Sequence, residues 1–250
     1  PSSDFDGSVS RLRIRKAALD PSKLNGIAGF KNRTFWWTGV DQKFWWSDVN
    51  TPGGDLQAFD LSRVGQFGGA LVAVVPWTPG GAASVEEAGV SFQQLIAFVM
   101  SSGETLVYQG SDPGNASDWA LVGLYRLGEP LSVRGTTQIA GDAIVLTRDG
   151  ALPMSAVIQQ GRFTPRNAIT DKIRGAFTRV ANSRFAEAGW SVLFYPGGPW
   201  MLINVPLGSN QFVQYVMHTV TNGWCRLQGW QARSWVVHDS RLFFGTVDGR

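Results

Sequence analysis

Four times this chain places an apolar run, a tight turn and a second apolar run in immediate succession. Ala97–Met100 turns at Ser102-Gly103 into Thr105–Tyr108, and Ala143–Leu146 turns at Asp149-Gly150 into Ala151–Met154. Val192–Tyr195 turns at Gly197-Gly198 into Trp200–Ile203, and Trp235–His238 turns at Asp239-Ser240 into Arg241–Phe244. The runs are rich in Val, Leu, Phe and Trp, which fit a pleated surface. Glycine and aspartate tolerate the positive φ that short hairpin turns demand. Gly103, Asp149, Gly150, Gly197, Gly198 and Asp239 are therefore read as structural turn residues. The turns recur at a spacing of about 40–50 residues. An earlier turn at Lys31-Asn32-Arg33 precedes Gly103 by one such unit plus a small-residue loop, Thr78–Gly89.

Short strands repeated at this spacing match β-propeller blades, each a four-stranded antiparallel sheet. A lone sheet of this kind leaves both faces wet, and stacking each sheet on the next buries them. The expected fold is all-β: a β-propeller across residues 1–250, with at least five repeats, the last incomplete, and one inserted helix. The sequence lacks the Gly-His…Trp-Asp signature of WD repeats, and no kelch double glycine recurs at the blade spacing. A β-sandwich or jelly roll is the alternative, disfavoured by the repeated hairpin and the length. The stop at Gly249-Arg250 falls inside what reads as an unfinished turn, so the sequence is expected to be a piece of a longer polypeptide.

Composition narrows the classes. Charged residues make up 16% of the chain, below the roughly 25% of average soluble proteins. That balance, with 30 glycines, fits a tightly turned, sheet-rich protein with much surface covered by partners. The 11 tryptophans suit a large β core or an interface. A net charge of +3 is too small to argue for nucleic acid by itself. Cys225 is the one cysteine, which excludes an internal disulfide framework and a Cys-rich metal site. No apolar run is long enough for a membrane-spanning helix, and the first residues lack the apolar core of a signal peptide.

Along the chain, Leu12 and Ile14 alternate with Arg11, Arg13 and Arg15, which predicts a half-buried strand within Ser8–Arg15. Two Trp pairs, Trp36-Trp37 and Trp45-Trp46, flank a turn at Gly39–Gln42. Successive strand side chains alternate, so one member of each pair faces the opposite side. Trp36 and Trp45 are candidates for an interaction surface, or for burial against a neighbouring sheet. Thr78–Gly89 is a candidate projecting loop.

Residues 164–188 break the strand pattern and predict a helix, capped by Thr164 with Pro165 following, or by Thr170. Ile169, Ile173, Phe177, Val180 and Phe185 form its apolar stripe, and Gly189 stops it. The opposite face carries Arg166, Lys172, Arg174, Arg179 and Arg184, which fits a solvated face or contact with phosphates, a membrane or an acidic subunit.

The chemical motifs are sparse. His218 and His238 read as structural, and H-E-x-x-H, G-x-S-x-G and phosphate-binding glycine loops are absent from the sequence. Asp112, Asp118, Asp142, Asp149 and Asp239 sit mostly at turns, where turn duty explains them. Gly110–Trp119 faintly matches a sialidase Asp-box, but once and with the wrong spacing. The expectation is a protein that is not an enzyme and has no cofactor and no metal.

Val107–Pro130, Gly141–Ser155, Ala168–Ile173, Asn204–Gly208, Gln214–Trp230 and Arg241–Arg250 resemble tailed-bacteriophage virion structural proteins. The most telling stretch is Gln214–Trp230, with Tyr-Val-Met, Thr-x-Thr-x-Gly-Trp-Cys and Gly-Trp. The likeness runs from about Phe30 to Arg250, and related phage proteins continue past this point with a tyrosine-containing strand. It implies a subunit of the short-tail or head-to-tail machine, similar to propeller-bearing tail nozzle proteins. The implied location is the virion, after assembly in the host cytoplasm. The implied partners are copies of the chain in a ring, other tail or connector proteins, and DNA that passes without specific binding. A carbohydrate- or receptor-binding propeller is the alternative, and a glycoside hydrolase the third reading.

Overall fold

The computed structural model describes residues 19–52, 54–78, 94–160, 165–208 and 210–249. The strand expected in Ser8–Arg15, the Thr78–Gly89 loop beyond its first residue and the Thr164 cap lie outside them.

The described chain is mostly β, in five antiparallel sheets taken in sequence order. Sheet 1 is β1 (Gly26–Phe30), β2 (Arg33–Trp37), β3 (Lys43–Trp46) and β4 (Gln57–Asp60). Sheet 2 is β5 (Leu71–Trp77), β6 (Leu95–Met100), β7 (Glu104–Gln109) and β8 (Ala120–Arg126). Sheet 3 has three strands, β9 (Thr136–Ile139), β10 (Asp142–Thr147) and β11 (Gly150–Pro153). Sheet 4 is β12 (Ser191–Tyr195), β13 (Trp200–Gly208), β14 (Gln211–His218) and β15 (Gly223–Leu227). Sheet 5 pairs β16 (Ala232–His238) with β17 (Arg241–Thr246). Within each sheet, every strand pairs with its sequence neighbour. Lys31-Asn32 and Asp239-Ser240 close two of the hairpins with both residues at positive φ, as two-residue turns of this hand require.

The uninterrupted apolar runs of β6 and β10 have a direct cause: these strands are buried on both faces. Ile96, Phe98 and Met100 of β6 enter a core shared with Phe35, Trp37, Phe44 and Trp46 of sheet 1. The intervening Leu95, Ala97 and Val99 enter a second core with Ala143, Val145 and Leu152 of sheet 3. β10 repeats the division, sending Ile144 and Leu146 into a third core with Val192, Met201, Ile203 and Val205 of sheet 4. Stacked Phe44 and Phe98, with ring centroids 4.5 Å apart, mark the first junction. Trp37 Nε1 also donates to the Val72 carbonyl there, at 2.8 Å. Each fully buried aromatic or aliphatic side chain contributes about 1.5–3 kcal/mol, so these junctions hold the sheets together.

The first strands of the sheets also follow one another in space. β1 lies against β5, β5 against β9, β9 against β12, and β12 against β16.

Several local elements differ from the sequence reading. The apolar run that begins at Ala151 and extends to Ile158 does not form one strand: β11 ends at Pro153, and α1 (Met154–Gln160) follows. Pro153 has no N–H to extend the ladder, and Asp142 accepts from both the Ser155 N–H and its hydroxyl, fixing the first turn. Residues 164–188 are not one continuous helix. They hold 3₁₀ turns at Pro165–Asn167 and Ile169–Ile173, then α2 (Arg174–Arg184), which ends well before Gly189. Thr170 is no cap: it is buried within the second 3₁₀ turn, where its hydroxyl accepts from Ala151 N–H at 3.2 Å. Phe177 is buried beside Trp190 in the third core, whereas Phe185 is exposed.

Candidate interaction surface

α2 packs on β11 and β13, at the edge of sheet 3 opposite β9. The 3₁₀ turn Ile169–Ile173 before it bonds the backbone of β11, and the basic residues of α2 are exposed. Arg174 pairs with Asp171, and Arg184 lies 3.6 Å from Glu187. Lys172 Nζ donates to the Asn222 carbonyl at 3.1 Å. Arg166 and Arg179 have no carboxylate within ion-pairing distance among the described residues. Two of the five cations are thus paired with carboxylates, Lys172 is held by a neutral carbonyl, and three positive charges remain on this face.

The Trp pairs divide as alternation requires. Trp37 and Trp46 enter the core between sheets 1 and 2. Trp36 and Trp45 lie on the other face, buried with Leu19 and Leu56. Neither ring offers an exposed surface.

The polar loop between β7 and β8 is held by its own side chains and by sheet 1. Asp118 Oδ2 accepts from Ser111 N–H at 2.6 Å, the Ser111 hydroxyl at 2.8 Å and Asp112 N–H at 2.8 Å. These bonds to Ser111, then to Asp112, with the nearby Lys31 charge, hold the Asp118 carboxyl below the usual value. Asp112 accepts from Gly114 N–H and lies 3.5 Å from Arg33, whose nearly buried guanidinium also donates to the Ser47 carbonyl. Trp119 beside the loop is buried in the first core. The loop acids are thus engaged in shaping the turn and fastening it to sheet 1. His218 Nδ1 accepts from Thr221 N–H at 3.3 Å, a turn contact. Among the described residues, no group of three His, Cys, Asp or Glu side chains is placed to hold a metal ion. No described helix is long and apolar enough to cross a membrane.

Two concave sites lie between sheets. One, of about 240 Å³, lies where β1, β5 and β9 end, lined by Phe30, Lys31, Trp77, Gln94 and Gln138 among others. The second, of about 390 Å³, separates the β6–β7 turn and the end of β8 from the β10–β11 turn and α2. Its walls include Ser102, Arg126, Glu129, Arg148, Asp149 and Asn182. Of these, Asp149 is the turn residue that the sequence marks. Arg126 carries no motif, and its guanidinium lies over the ring of Phe67, a residue of a separate loop.

No protein-family model matches the sequence, and no curated protein shows significant similarity to it.

Proposed function

We propose that this chain is a structural subunit of a bacteriophage tail or head-to-tail connector. In this reading the sheets are blades of a β-propeller, and copies assemble as a ring around the DNA channel. One structural observation carries the architectural part: the first strands β1, β5, β9, β12 and β16 run side by side in chain order. Sheets joined along their first strands and packed face to face fan out from a common line, as blades do. The phage assignment rests on the resemblance of Val107–Pro130 and Gln214–Trp230.

A building block of this kind needs stiffness rather than a reaction centre. Three apolar inter-sheet cores supply it. α2 lies at the sheet edge away from the first strands. In this reading the Arg-rich face meets solvent or a neighbouring subunit rather than the bore, because multiple Lys and Arg contacts would retard passing DNA. The partners are copies of the chain, adjoining tail or connector proteins, and DNA in transit; the location is the virion.

The test is electron microscopy of the purified full-length protein. Rings of copies are the expected result. Monomers that bind host-envelope glycans would replace this reading with a carbohydrate-binding propeller. The cavity at the ends of β1, β5 and β9 is where that second reading would place a sugar, with Lys31 and Gln94 among its lining.

A further inference from the structure

We infer that the cleft between sheets 2 and 3 docks an acidic segment of a protein partner, anchored by the Arg126 guanidinium. Two arginines flank this cleft, each laid over an aromatic ring. Arg126 lies 4.6 Å from the Phe67 centroid, and Arg148 lies 4.5 Å from the Phe185 centroid. Both rings are unusually open, with Phe67 56% and Phe185 50% exposed. Guanidinium stacking holds the charge in one place and lowers the entropy lost when it binds. Arginine and large aromatics are also the residue types that concentrate binding energy at protein interfaces.

The two arginines differ in what remains for a ligand. Arg148 is engaged: Nη1 donates to Glu129 at 2.6 Å, and Nη2 to Asn182 Oδ1 at 3.3 Å. Arg126 has no carboxylate within ion-pairing distance among the described residues. Its cross-strand neighbour is Glu104, whose buried carboxylate is committed to the Gln66 and Phe67 N–H groups. That bond set also fixes the backbone beneath the Phe67 ring. The cleft therefore presents one uncommitted, pre-oriented cation beside exposed aromatic surface.

The other charges in the cleft select the class of partner. Glu129 and Asp149 line its sheet-3 side, so its formal charge is balanced. A polyphosphate backbone needs several cations and meets two carboxylates here. A polypeptide offering one Asp or Glu beside apolar side chains matches Arg126 and the Phe rings without that conflict. This inference stands apart from the ring reading, since the cleft is complete within one copy.

The test is selection of random peptides displayed on yeast against the full chain. The selected peptides are then measured singly. The expected winners carry Asp or Glu next to an apolar residue and bind saturably. They weaken about tenfold or more when the acid becomes its amide or when Arg126→Gln is introduced. Phe67→Leu is expected to weaken them severalfold, and Arg179→Gln on α2 to leave them unchanged. Four outcomes overturn the inference: no saturable peptide, winners without an acid, binding indifferent to Arg126→Gln, or displacement by an oligonucleotide in preference to acidic peptide. Ring formation by microscopy is read separately, so either conclusion can fail without the other.

Discussion

Asn204 and Gln214 face each other across β13 and β14, fully buried, with Gln214 Nε2 donating to Asn204 Oδ1 at 2.9 Å. The Asn204 amide in turn donates to the Gly189 carbonyl at 2.9 Å and the Ala232 carbonyl at 3.1 Å. Gln214 also reaches the Trp230 carbonyl at 3.1 Å. Two buried amides thus tie the entry to sheet 4 and the start of sheet 5 to one point. Asn204→Leu keeps roughly the same bulk but strands these carbonyls and the Gln214 donor. The expected cost is about 2–3 kcal/mol, the desolvation of buried groups left unpaired. Hydrogen exchange provides the specific readout, because amides of Ala232–His238 should lose protection before those of sheets 1 and 2. Uniform loss across the chain would argue against a local fastening.

Glu104 carries the second prediction. Its carboxylate is buried and accepts from Gln66 N–H at 2.9 and 3.1 Å and from Phe67 N–H at 3.1 Å. Glu104→Gln keeps the shape but replaces an ionised acceptor with a neutral amide whose NH₂ opposes two donors. Hydrogen bonds to charged groups are worth about 1.5–3 kcal/mol, and a loss in that range is expected by denaturant titration. Phe67 should become more mobile in the same variant, visible in its side-chain resonances.

Much of the fold was legible, and the failures have physical causes. The opposite facing of Trp36 and Trp37 follows from strand alternation alone, and the structure has it. β9 was not legible because Thr136–Ile139 has one aliphatic residue, and its strand character comes from pairing with β10. α1 was hidden because Met154–Ile158 continues an apolar run, while the Asp142–Ser155 bonds that fix its first turn are long-range. The hairpin repeat was real but mixed two registers. The turns at Gly103 and Gly150 join second and third strands, whereas those at Gly198 and Asp239 join first and second strands. Both kinds read alike because each joins two apolar runs. The cleft was out of reach, because Phe67–Arg126 and Phe185–Arg148 are tertiary pairings.

Asp118 makes the chain acid-sensitive at one loop. Its carboxyl sits below the ordinary 3.8 because Ser111, then Asp112, donate to the ionised form. A lowered folded-state value means the unfolded chain binds the proton more readily. The resulting stabilisation is complete above the unfolded-state value, fades as pH falls below it, and is gone once pH passes the lower folded value. Asp118→Asn should therefore narrow the stability difference between pH 6 and pH 3 relative to the parent chain. Equal pH dependence in the two proteins would rule the loop out as a contributor.

Gly103 and Gly175 give opposite predictions for the same substitution. Gly103 turns the chain between β6 and β7 at φ +83°, and an added Cβ would come 2.4 Å from the Leu127 carbonyl oxygen. That neighbour is backbone, tied to Gly103 by the Leu127 N–H bond to the Gly103 carbonyl at 2.8 Å. Gly103→Ala combines left-handed strain with a clash that cannot relax through a rotamer, so a loss above about 1 kcal/mol is expected. Gly175 lies in the first turn of α2, and an added Cβ meets nothing within 4 Å. Alanine there restricts the unfolded chain and suits the helix, so Gly175→Ala should stabilise by up to about 1 kcal/mol. The two midpoints, measured side by side by thermal melting, should move in opposite directions. If both rise, the strained turn at Gly103 is wrong; if both fall, the open surroundings of Gly175 are wrong.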